Sequence, residues 1–111
     1  MATGNIKKPP RSNVTEITEW ANGWTNNGQS YWSAFGNEVH VHASIRNGTT
    51  TSGIQIANFG SYHPISVTLT PVFTAVGAAN GYAQINADGT LRLYNVSSAD
   101  SVTFDLFWMR T

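Results

Sequence analysis

Two histidines, His40 and His42 in the run EVHVHASI, have the spacing best suited to chemistry in this chain. In extended backbone alternate side chains share a face, so both imidazoles project from the same side. Neutral imidazole is a common transition-metal ligand, and such a pair can grip an ion from one side. Two ligands do not complete a site, and the third histidine, His63, stands apart from them in the pattern. The pair reads equally as polar residues on a solvated face beside Ser44 and Arg46. His40 and His42 are therefore weak metal candidates, and neither a metal nor any other cofactor is expected.

The carboxylates are Glu16, Glu19, Glu38, Asp88, Asp100 and Asp105. A glycosidase needs two of them facing across a cleft. Asp88 is accounted for by an Asp-Gly turn and Glu38 by a strand start. Asp105 falls on the face opposite Phe104 and Leu106, free for a functional role or for pairing with Arg110. Scattered carboxylates do not make a catalytic pair. There is no G-x-S-x-G nucleophile elbow, no phosphate-cradling glycine loop and no cysteine to supply a thiolate or a disulfide. No catalytic residue is assigned.

Aromatic residues carry more weight. Trp20, Trp24, Tyr31, Trp32 and Phe35 crowd the first third, and Tyr62 and His63 share a connection. Aromatic faces flanked by Asn and Asp hold saccharides through stacking and directed hydrogen bonds, yet large aromatics also fill cores. Most are expected in the core. Tyr31 and Trp32 are adjacent, so they point to opposite faces and one of the two can be exposed. Trp32, Tyr62 and His63 are the candidate ligand-binding residues.

The elements that must position these groups are strands. Val39, Val41, Ala43 and Ile45 alternate with His40, His42, Ser44 and Arg46, the pattern of a half-buried antiparallel strand. Gly36-Asn37 turns it back on Tyr31 to Phe35. Residues 1–12, with Pro9-Pro10, read as a flexible arm preceding one domain over 13–111. Residues 13–26 form an irregular lead-in, with Gly23-Trp24-Thr25 as the first firm strand. Residues 53–58 alternate again. The segment 65–76 reads as the longest strand, with Ile65, Val67 and Leu69 on one parity and Ser66, Thr68 and Thr70 on the other. Pro71 removes a donor there, which predicts a bulge, an edge or a strand that changes sheets. Asp88-Gly89 joins two short strands, 82–86 and 90–95, as a hairpin. Val102, Phe104, Leu106 and Trp108 share a face of the last strand. About seven to eight strands at this spacing, with no helical period between them, predict an all-β antiparallel β-sandwich.

Composition narrows the partners. Only 11% of the 111 residues are charged and the net charge is zero, against about 25% charged in ordinary soluble domains. No basic surface suited to nucleic acid is expected. No run approaches the roughly 20 apolar residues of a membrane span, so no membrane insertion is expected. The lysines near the N-terminus precede no apolar stretch, so no secretory signal peptide is read.

The order of these pieces resembles the small β-sandwich domains of bacteriophage tail fibres and receptor-binding proteins. The matching text is Gly23-Trp24-Thr25, Tyr31, Gly36-Asn37-Glu38-Val39-His40-Val41 and Ile45. It resumes at Ile56-Ala57-Asn58-Phe59-Gly60-Ser61-Tyr62-His63-Pro64 and closes with Ala83-Gln84-Ile85-Asn86-Ala87-Asp88-Gly89-Thr90-Leu91 and the final apolar strand. It spans about residues 23–109. The chain also looks like a small protein from the tail-gene region of a Bacillus siphophage. Phe59-Gly60 departs from the Leu-Pro often found at this point, and His63 stands at the usual basic position. No heptads precede the first strand, so the trimerising stem of such fibres is not read here.

The resemblance implies a non-enzymatic module of a phage tail or baseplate, concerned with host adsorption. Its partners would be tail or baseplate proteins and host cell-wall saccharide. It would reside in the virion tail, or in the host cytoplasm during infection. A carbohydrate-binding module is the first alternative and a cell-wall hydrolase the second.

Overall fold

A computed structural model describes residues 4, 6, 14–74, 81–96 and 98–110. Among the described residues ten strands form two antiparallel sheets packed as a sandwich, the architecture expected from the sequence. The larger sheet contains β1 (Thr15–Glu16), β3 (Tyr31–Phe35), β4 (Glu38–Arg46), β10 (Val102–Met109) and β7 (Phe73–Thr74) in that order, with β2 (Thr25–Asn26) also paired to β4. The smaller sheet runs β5 (Ile54–Asn58), β9 (Thr90–Tyr94), β8 (Tyr82–Ile85), β6 (Thr68–Pro71). Among the described residues a single 3-10 turn, Gly60–Tyr62, follows β5.

The β3–β4 hairpin is built as its sequence demands. Gly36 takes φ +59° at the first turn position, as a two-residue type II′ turn requires, and Phe35 then faces Glu38. Strand β10 lies on the far side of β4 for eight residues, from Val102↔Ile45 to Met109↔Glu38. That register puts Val102, Phe104, Leu106 and Trp108 beside Ile45, Ala43, Val41 and Val39, all buried. At the Asp-Gly turn, Gly89 sits at φ +91° while the Asp88 carboxylate accepts the Thr90 N–H and hydroxyl, fixing the β8–β9 hairpin.

All four tryptophans are buried. Trp20, Trp24 and Trp108 each donate an indole N–H, to Asn26 Oδ1, the Thr49 carbonyl and the Tyr62 carbonyl respectively. Burial of a tryptophan without such a partner would forfeit a hydrogen bond.

The expected strand over 65–76 divides. Thr68–Pro71 pairs with β8 in the smaller sheet. The buried Val72 crosses between layers, and Phe73–Thr74 pairs with β10 in the larger sheet. Pro71 thus marks a change of sheet, one of the outcomes read from its missing donor. Ile65 is anchored to β10 by its N–H on the Met109 carbonyl, outside regular pairing. The parity expected here holds, but the apolar side faces out. Ile65, Val67 and Leu69 are exposed, whereas Thr68 and Thr70 are half-buried and lead inward to Val72. A period of two leaves only one choice of face, and Val72 makes it. Positions 75 and 76 lie outside the described residues.

The lead-in holds only two-residue strands, so the first firm strand expected at Gly23-Trp24-Thr25 is reduced to Thr25–Asn26, with Trp24 turned into the core. Of the arm expected over residues 1–12, only Gly4 and Ile6 are described. Ile6 N–H donates to the Asn58 carbonyl at 3.0 Å and Asn58 N–H donates to the Gly4 carbonyl at 2.8 Å, which lays these residues along β5. Gly4 is needed there. It has φ +74°, and a β-carbon would stand 2.9 Å from Ala57 Cα. The rest of the arm lies outside the described residues.

Candidate binding face

The inner face of the larger sheet is apolar, so its outer face collects the opposite parity of β3, β4 and β10. Three rungs follow from the register: Tyr31–His42–Asp105, Ser33–His40–Phe107 and Phe35–Glu38–Met109. Phe35, Phe107 and Met109 on this face are exposed by 72%, 60% and 49%.

His40 and His42 meet at Asp105. His40 Nε2 lies 3.1 Å and His42 Nδ1 3.0 Å from the same oxygen, Asp105 Oδ1. An ionised carboxylate only accepts, so each neutral imidazole must carry its proton on the nitrogen facing Asp105. Aromatic rings flank both imidazoles. His40 stacks on Phe107 with centroids 4.2 Å apart and planes 6° from parallel, and Tyr31 stacks on His42 at 5.0 Å. Partial burial pushes the Asp105 carboxyl up, but the hydrogen bonds from His40 and His42, aided by their charges when protonated, outweigh it and hold the group below its ordinary value.

Asp105 is thus the partner of the histidines and not of Arg110. The Arg110 guanidinium lies over the Tyr62 ring, 4.4 Å from its centroid, and donates to the Ser61 carbonyl. The histidine pair is on one face as the spacing required, but among the described residues no group of three His, Cys, Asp or Glu side chains is arranged to hold a metal ion.

The candidate ligand residues are not gathered into one site. Trp32 is 1% exposed and lies in the core, edge-on to Phe59 and Tyr62 at 5.3 and 5.0 Å. Alternation gave that pair one inward member, and the inward one is Trp32. Tyr31 is the outward member. Tyr62 is half-buried between Trp32 and Arg110, and His63 is exposed in the following connection with Nδ1 3.0 Å from the Pro64 carbonyl. Tyr31, Asp105 and Phe107 were missed as a group because their meeting depends on a β4–β10 register that spans some sixty residues of chain. The outward parity of Asp105 and Phe107 was the available signal.

A separate cleft of about 180 Å³ lies beside β1, lined by Ile6, Thr15, Glu16, Ile17, Glu19 and Trp32. Its two carboxylates, Glu16 and Glu19, are both exposed. Asp100 and Asp105 are also exposed rather than buried together.

No family model and no curated protein matches the chain. Its fold is similar to that in the crystal structure of the receptor binding protein (gp15) of Listeria phage PSA, with a TM-score of 0.58 and 20% sequence identity. The likeness takes in 87% of this chain and 66% of that one. At this identity it is a likeness of fold.

Proposed function

We propose that this chain is a non-enzymatic interaction module of a phage tail or baseplate that takes part in host adsorption. The observation that carries the reading is the union of a receptor-binding-protein fold with an outer sheet face bearing exposed Phe35, Phe107 and Met109 around a polar His40–Asp105–His42 centre. Recognition by such a face works through complementary shape and stacking, with no bond made or broken. Its partners would be other tail or baseplate proteins and the host surface, and its place would be the tail of the virion.

A second reading is specific recognition of cell-wall saccharide. The exposed Phe107 ring and the outward Tyr31 beside the histidines favour it, since sugars stack on aromatic faces while their hydroxyls bond polar neighbours.

Immunogold labelling and mass spectrometry of purified particles of the encoding phage test the first reading. Detection at the tail tip in fixed copy number is the expected result. Absence from particles overturns it. Pull-down of the purified chain on host cell walls, before and after glycan removal, then tests the second.

A further inference from the structure

The middle of the outer face has a charge pattern that the proposed adsorption role alone does not explain. Asp105 carries a formal charge, and its only ionic partners among the described residues are His40 and His42. Both imidazoles use their protons on Oδ1, and no donor among the described residues reaches Oδ2. With both rings neutral, the centre therefore presents a negative charge and unused acceptors. The other titratable groups facing it are Tyr31 from β3 and Glu38 from β4. The segment 65–74 along the other side of β10 has no ionisable side chain. Arg46 lies four residues beyond His42 on β4, about 13 Å away, further than the roughly 10 Å over which salt screens exposed charges. Each imidazole that holds the carboxylate is itself stacked on a ring, His40 on Phe107 and His42 on Tyr31.

A carboxylate without a fixed cation, set among aromatic faces, is complementary to an organic cation. The charge is met by Asp105 and the adjoining carbon by the exposed Phe107 beside it on β10. We propose that the His40–Asp105–His42 centre binds the primary ammonium group of an amine-bearing ligand. This deepens the adsorption reading and rests on the same face.

Two-dimensional amide NMR of the full chain tests this with ethanolamine, its neutral counterpart ethylene glycol, and glucose, at constant ionic strength. The expected result is saturable shifts at Tyr31, His40, His42, Asp105 and Phe107 with ethanolamine, at least tenfold weaker with ethylene glycol and glucose. Asp105→Asn should weaken the ethanolamine response at least tenfold and Phe107→Leu severalfold, each with an otherwise unchanged spectrum. Equal shifts with neutral and charged probes, shifts unaffected by Asp105→Asn, or no localised shifts with ethanolamine overturn the proposal. Particle labelling separates the two ideas. A chain present at the tail tip that ignores ethanolamine keeps the adsorption role and loses the amine site, whereas a chain absent from particles that binds ethanolamine does the reverse.

Discussion

The ring of Trp24 occupies the space where a β-carbon on Gly48 would stand. Trp24 is buried and its indole N–H is held by the Thr49 carbonyl at 3.1 Å, so the ring has little room to withdraw. Gly48→Ala is expected to cost about 1–3 kcal/mol as an overpacked core. Urea unfolding followed by tryptophan fluorescence would show it, and a midpoint equal to wild type would refute the packing described.

Neighbouring Tyr31 and Trp32 should separate function from stability. Trp32→Ala empties a core site and is expected to destabilise by about 3–5 kcal/mol. Tyr31→Ala removes a half-buried ring from the outer face and should cost less than about 1 kcal/mol, while weakening whatever binds beside His42. Thermal unfolding and ligand titration of both variants check the contrast. A Tyr31 variant as unstable as the Trp32 variant would place that ring in the core.

Acid should remove a stabilising contribution. Burial pushes Asp105 up but its histidine hydrogen bonds prevail, and Asp88 is lowered chiefly by the Thr90 hydroxyl and then the Thr90 N–H. A carboxyl with a depressed native pKa binds fewer protons folded than unfolded, so its contribution is complete above the unfolded value of about 4 and disappears as pH falls through the lower folded value. The difference in Tm between wild type and Asp105→Asn, or Asp88→Asn, should narrow from pH 5 to pH 2. Both side chains are exposed, so the differences should be small. A gap that widens in acid would reverse the assigned direction.

Gly4→Ala is expected to loosen the N-terminal segment from β5. The substitution strains a backbone at φ +74° and sets a methyl group against Ala57. The Asn58 amide, which donates to the Gly4 carbonyl, should then exchange with solvent deuterium faster than in wild type, with the amides of β4 unchanged. Equal Asn58 exchange would show that the amide is protected by something else.

Local chemistry made much of this fold legible. Gly36, Asp88-Gly89 and Pro71 each specify backbone geometry within a few residues, and the structure uses all three for the purposes their chemistry suggests. Alternation along β4 and β10 showed which residues share a face. It did not show which face of 65–69 points inward, because the deciding residue, Val72, lies across the change of sheet. Nor did it show that Asp105 reaches His40 and His42, since strand register is a long-range property. Trp32 was legible as one of two opposed aromatics, and only the packing of Phe59 and Tyr62 around it decided its side.

The passage of residues 68–74 from one layer to the other has a mechanical consequence. Hydrogen bonds tie Thr68–Pro71 to β8 and Phe73–Thr74 to β10, with Val72 locked between them. Neither layer can detach without pulling on the backbone of the other. Tension applied to the last strand is therefore passed to the smaller sheet through this stretch as well as through the connection from β9, and the two layers yield as one cooperative unit.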